Sequence, residues 1–288
     1  MLRGAILLLA AVPLAGCTAA SPSPAAPAGG RPMRVMSLSL CTDQLLLALL
    51  PPERIASVTW LARDPDSSVM TRAAALVPVN HGLAEDVIRQ QPDLILSDGF
   101  SMAATRGLLA RLGRPVTEIG GTESFDQIRS ATRGVARAVG EQARGEALIA
   151  RMDRQLAELA RDPAPPVRVA AWNGDGFGAP PGSLYDAVLR AAGAINVASE
   201  GTTAAPDTET LLAAAPALLI RSAPSRPQPG LRDNEARHPL VRRYWDGART
   251  LTISPAAFMC GTPFVADAAL ALRADLRRAP RTAPSFAR

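Results

Sequence analysis

The sequence predicts an α/β protein of two lobes with mostly parallel sheets, joined by a single long helix. Three observations predict it. Strand-like and helix-like segments alternate on both sides of a proline-rich break at Asp162–Pro166. Ala143 to Ala160, just before the break, carries Leu148, Ile149, Met152, Leu156 and Leu159 at helical spacing, a stretch of about 27 Å at 1.5 Å per residue. A helix-Pro-strand unit also occurs twice, once on each side: residues 84–96 align without gaps to 208–220, with Glu, Pro and the first strand Leu coinciding.

The elements follow in order. Residues 33–40 read as a strand and 42–50 as the helix leaving it; 55–59, 94–96 and 116–119 are further strands, with a helix at 102–112. Ser124-Phe-Asp-Gln127 is a capping-box pattern that starts a helix carrying Phe125, Ile128, Val135 and Val139, which Gly140 should end. Beyond the break, 167–172, 218–220 and 250–253 read as strands, with helices at 184–192 and 264–277. The expected organisation is therefore an N-terminal lobe at 33–121, a helical connection at 122–162, a C-terminal lobe at 166–278 and a disordered tail at 279–288.

The first residues set the compartment. Met1-Leu2-Arg3 is a short positive region, Ala5 to Pro13 an apolar run, and Leu14-Ala-Gly-Cys17 a small-residue cleavage site, so 1–16 reads as a signal peptide. The run is too short to span a bilayer. Leu-Ala-Gly-Cys resembles the bacterial lipobox, which implies that Cys17 is lipidated and becomes the new N-terminus. Pro, Ala and Ser dominate the stretch behind it, so 17–32 reads as a disordered tether. The remainder, 48% hydrophobic across the chain, has no second apolar run of spanning length and can bury a core. A net charge of +5 raises nucleic acid as a partner, but every basic residue is Arg and the arginines are scattered among Asp and Glu, so no nucleic-acid site is expected. Hydrolase chemistry finds no support: there is no Gly-x-Ser-x-Gly, no His-Glu-x-x-His and no paired Cys-x-x-Cys. The remaining enzymatic alternative uses Cys41 as nucleophile and His81 as base.

Taken together, the lipobox, the lobe-helix-lobe plan and the paired Glu-x-x-[Ile/Leu]-x-x-x-Pro-x-Leu-[Ile/Leu] units resemble the class III substrate-binding proteins of ABC importers. Leu40-Cys-Thr-Asp-Gln-Leu45, Asn80-His-Gly82 and Cys260-Gly-Thr-Pro-Phe264 are similar to a branch of that family. The resemblance implies a non-enzymatic carrier of cobalamin, ferric siderophores or haem, with no resident cofactor. Its partners would be an ABC permease dimer with ATPase subunits and a large metal-chelate small molecule, and its membrane attachment the lipid anchor alone. A scavenger or sensor that docks on no permease is the alternative. The resemblance also implies a ligand cleft between the lobes, and parallel sheets bind ligands beyond the carboxyl ends of their strands. On that rule the lining residues are Asp43, Trp60, Asp98, Phe100, Trp172, Asn173, Phe177 and Arg221. The glycines of 173–182 would let Trp172 and Phe177 present flat faces to a large ring. His81 is a candidate donor or axial metal ligand, or else a loop cap; His238, before Pro239, reads as structural. Aromatic lining with little charge favours a corrinoid over a siderophore.

Two pairs complete the expectations. With Cys17 lipidated, Cys41 and Cys260 form an even pair in an oxidising compartment, where a disulfide is the default; buried free thiols or a thiolate pair on a soft metal are the alternatives. Glu85 and Glu209 hold equivalent places in the repeat, at helix starts where a carboxylate also suits the dipole. The family resemblance implies that such a pair meets arginines of the two permease subunits.

Overall fold

The computed structural model describes residues 31–172, 178–200, 208–222 and 238–286. The signal peptide, Cys17 and most of the tether lie outside them, as do Asn173 and Phe177. The first sheet holds β1 (Val35–Ser37), β2 (Ile55–Thr59), β3 (Val79–Asn80), β4 (Leu94–Asp98) and β5 (Thr117–Ile119) in the order β3-β2-β1-β4-β5. Its helices are α1 (Leu40–Leu49), α2 (Thr71–Ala74), α3 (Ala84–Gln90) and α4 (Ala103–Arg111). Two longer helices follow, α5 (Phe125–Ala138) and α6 (Gln142–Arg161). The second sheet holds β6 (Val167–Ala171), β7 (Ala194–Asn196), β8 (Leu218–Ser222) and β9 (Thr250–Ile253) in the order β7-β6-β8-β9. Its helices are α7 (Leu184–Ala191), α8 (Thr208–Ala214), α9 (Pro239–Tyr244), α10 (Ala256–Met259) and α11 (Val265–Arg278).

All described strand pairs are parallel, so each sheet is covered on both faces. Alternate residues of β1 show this: Val35 enters a core with α1 and α5, while Met36 enters one with Val87 and Leu109 from α3 and α4. The second sheet repeats the arrangement, Val169 packing with Leu272 and Leu276 and Ala170 with Leu211 and Trp245.

At 20 residues, α6 is about 30 Å long. Its first half packs Leu148 on the first lobe's core, and its second half buries Met152 and Leu159 with Val188, Val265 and Ala269. Gly145 makes the α5–α6 contact possible, because a Cβ there would overlap the Ala136 methyl. At the start of α5, Ser124 Oγ accepts from Gln127 N at 3.2 Å, and the Gln127 amide oxygen reaches back to accept from Glu123 N at 2.8 Å. Gly140, at φ +71°, ends that helix in the left-handed region.

The repeat extends further in three dimensions than in sequence. The helix of each copy ends on a left-handed residue, Gln91 in one and Ala215 in the other, whose N–H donates to the carbonyl of buried Val87 or Leu211. The arginine before or at the start of each lobe's first strand caps the same helix: Arg34 donates to Gln90 O at 2.7 Å and Arg168 to Ala214 O at 2.9 Å. These are orphan carbonyls of a helix C-terminus, which a guanidinium suits both as donor and as charge.

Contacts are described at both ends of the body. Pro32 is buried and its carbonyl accepts two hydrogen bonds from Arg54. The tail is docked as far as Phe286, whose ring lies 4.9 Å from that of Tyr244 and 5.7 Å from that of Trp245, while Arg249 donates to Thr282 O at 2.6 Å. One aromatic residue anchors a segment whose composition otherwise reads as disordered. β3 and β7 were not expected from the sequence; strands of two and three residues carry too little periodicity to be seen.

Candidate functional site

The carboxyl ends of both sheets converge at one covalent link. Cys41 in the first turn of α1 and Cys260 just after α10 form a disulfide with Cα atoms 5.1 Å apart. Of the alternatives left open by the sequence, the disulfide is the one present. Beside it Gly261 lies against Thr122, so closely that a Cβ would overlap the Thr122 carbonyl and side chain.

Around this floor the strand ends present side chains of two kinds. Trp60, directly after β2, is 50% exposed, and Phe100, after β4, is 85% exposed. Asp98 makes the turn that presents Phe100: its carboxylate accepts from Phe100 N at 2.9 Å, from Ser101 N and from Ser101 Oγ. Arg106 ties the same loop down by donating to the carbonyls of Asp98, Gly99 and Ser101 while pairing with Glu118 at 2.8 Å. The Asp98 carboxylate is thus engaged in its own loop. His81 is exposed, and its position is set by neighbours. Buried Asn80 donates to Ser37 O and Ser57 Oγ and accepts from Gly82 N, and Asp86 accepts from His81 N.

Two expected lining residues are elsewhere. Asp43 is fully buried, and its carboxylate accepts from Thr59 N at 3.0 Å and Thr59 Oγ1 at 2.5 Å. It has no surface to offer a ligand; it ties the first turn of α1 to the last residue of β2. Burial pushes its pKa up to about 7, the bonds from Ser37 and Thr59 offsetting only part of that. The second lobe uses the same device, with Asp186 in the first turn of α7 accepting from Asn196 at the end of β7. Trp172 is 3% exposed and packs with Val197, Leu211, Leu219 and Trp245. Its position after β6 suggested the cleft, but its side chain continues the sheet's alternation into the core. Arg221 is half-buried near the end of β8. Glu85 and Glu209 are both exposed, each the second residue of its helix. His238 is structural, its Nδ1 accepting from Leu240 N at the start of α9.

Two exposed methionines escaped the sequence analysis. Met102 is the left-handed residue that starts α4, and its thioether fills the space above Gly82, next to His81. Met259 is 51% exposed and its carbonyl lies 3.9 Å from Cys41 Sγ. Only the adjacency of Met259 to Cys260 marks it in sequence. Among the described residues, no group of three or more His, Cys, Asp or Glu could hold a metal ion, and no helix is long and apolar enough to cross a membrane.

Two parallel α/β sheets with one long helix between them in sequence define a two-lobed α/β protein. Residues 35–243 match the family model described as periplasmic binding protein, and the chain belongs to that family. No curated protein sequence matches the chain. Among solved structures it is similar to the periplasmic heme-binding protein RhuT from Roseiflexus sp. RS-1, at 22% identity and a TM-score of 0.65, covering 85% of this chain and 98% of that one. It is similar to the periplasmic vitamin B12 binding protein BtuF of Vibrio cholerae at 16% identity and 0.62, covering 86% and 97%. An ABC-type Fe3+-hydroxamate transport system structure from Saccharomonospora viridis DSM 43017 matches at 20% and 0.63, covering 85% and 93%. These likenesses are of fold. They are to class III periplasmic binding proteins, which are solute binders that work with ABC permeases.

Proposed function

We propose that this chain captures a large, flat metal chelate of the corrinoid class in the interlobe cleft and delivers it to an ABC permease. The observation that carries the proposal is the distribution of tryptophan. Of the three in the chain, Trp172 and Trp245 are 3% and 2% exposed, while Trp60 stands half-exposed at a strand end, on the lobe that also presents Phe100 and His81. Exposed aromatic faces at the carboxyl edge of a parallel sheet suit a planar ring, and an exposed imidazole suits its metal. Asp98 is engaged in its turn and Asp43 is buried, so the described first-lobe rim carries little free charge, which favours a corrinoid over an anionic siderophore.

The test is fluorescence titration of the purified protein with cyanocobalamin, haemin and a ferric hydroxamate. Trp60 should be quenched by cyanocobalamin, and Trp60→Phe should remove that response while leaving the fold intact. Saturable binding of haemin or the hydroxamate alone would replace the corrinoid assignment. Delivery rests on Glu85 and Glu209 as the docking pair, and attachment on lipidation of Cys17; both are part of the proposal and are tested below.

A further inference from the structure

The disulfide joins the first turn of α1 to the segment just after α10, and a second set of contacts joins α6 to α11. The α6–α11 contact is made by Arg151 and Gln155 donating to Asp267 at 2.7 and 2.6 Å and by Arg273 pairing with Glu158. The segment from Met259 to Thr262 reaches the first lobe through the bridge to Cys41, and its Gly261 lies against Thr122 at the start of the helical connection. Hinge motion about α6 would have to move this segment, and a covalent bond there holds the separation of the strand ends. The same bond holds Met259, from the second lobe, against the first turn of α1. The two sulfurs differ in access: Cys41 is half-buried and Cys260 buried.

We propose that the Cys41–Cys260 disulfide is a redox-cleavable clasp that sets the lobe spacing and holds Met259 in the ligand site, so that ligand affinity depends on its oxidation state. The ligand half of this rests on the proposed function; the clasp itself does not. The reductant is a dithiol. Its thiolate attacks Cys41 Sγ, the accessible sulfur, and Cys260 leaves as a thiolate that takes up a proton. The reductant's second thiol then attacks the mixed disulfide and Cys41 leaves as a thiol. The protein disulfide is reduced to two thiols and the dithiol is oxidised to its own disulfide.

The experiment compares the oxidised protein, the protein reduced under native conditions, and the Cys41→Ser/Cys260→Ser variant. Hydrogen exchange is read first, without ligand. Residues 38–42 and 256–264 should exchange at least about tenfold faster once the bridge is open, while β1 and β6 keep their protection. Unchanged exchange in those two segments would overturn the clasp, and so would equal loss of protection in both sheets, which would make the bridge a staple of the whole fold. Affinity for cyanocobalamin and haemin, followed through Trp60, should then fall by about tenfold on reduction, about 1.4 kcal/mol. Met259→Ala with the bridge intact should weaken binding without altering exchange. Faster exchange with unchanged affinity of a probe that does bind would overturn the link to the ligand. If neither probe binds the oxidised protein, the ligand assignment fails, and the exchange result alone decides the clasp.

Discussion

Asp43 and Trp172 follow strands as ligand-lining residues do, yet both are buried. The sequence places a residue after a strand; which way its side chain turns depends on tertiary partners, here Thr59 for one and the Trp245 cluster for the other. Asp43 is therefore a stability determinant. Its folded pKa of about 7 lies above the ordinary carboxylate value of about 3.9, so between those values the folded state holds a proton that the unfolded chain lacks. Its contribution is fully present below about pH 4 and is lost as pH rises through about 7, at up to about 1.4 kcal/mol per pH unit. Asp43→Asn keeps an acceptor for Thr59 N and supplies a donor for Thr59 Oγ1. Denaturation at pH 5 and pH 8 should show the variant gaining stability relative to the parent at the higher pH, and parallel curves would contradict this. The two tryptophans should separate in the same way. Trp172→Ala should cost about 3–5 kcal/mol in denaturation midpoints as a core truncation. Trp60→Ala should leave stability nearly unchanged and reduce affinity for the flat ligand by about tenfold.

At the level of elements, periodicity and punctuation made most of the fold legible. β2 and β9 have the ends expected from their apolar runs, and α6 extends one residue beyond the predicted stretch at each end. What stayed hidden was set by contacts rather than pattern: β3 exists because Val58 and Thr59 offer it a pairing edge, and the tail is held by the Phe286 ring and by Arg249 donating to Thr282 O. The paired helices were legible as a repeat, and their agreement extends to the left-handed caps and to the arginines 34 and 168 that close them. Such equivalence gives the exposed Glu85 and Glu209 the same setting on each lobe. Glu85→Ala and Glu209→Ala should each lower uptake and ATPase stimulation by the cognate permease, more so at low salt, while ligand affinity stays within about twofold. Normal transport by the double variant at physiological salt would remove the docking assignment.

On the scale of the whole molecule, the described residues begin at Arg31, and Arg54 clamps Pro32, Val139 and Glu141 together. A lipid on Cys17 would attach the chain ahead of this body. Cys17→Ala should release the protein from membranes into the soluble fraction without changing its melting temperature, and unchanged membrane association would contradict lipidation. The disulfide spans 219 residues of sequence, and that separation has a consequence for how the protein is made. A chain threaded N-terminus first across a membrane presents Cys41 early, and its partner only when nearly all the rest has emerged. The strands of the first sheet end at Ile119, and the helices α5 and α6 that complete its core end at Arg161, both well ahead of Cys260 in the chain, so the first lobe is expected to fold around an unpaired thiol. Oxidation is therefore expected to close maturation, after the second sheet has carried Cys260 into place. Pulse-labelling with a thiol reagent during export should trap a species with a protected first sheet and a reactive Cys41, and a truncation ending before Cys260 should accumulate in that form.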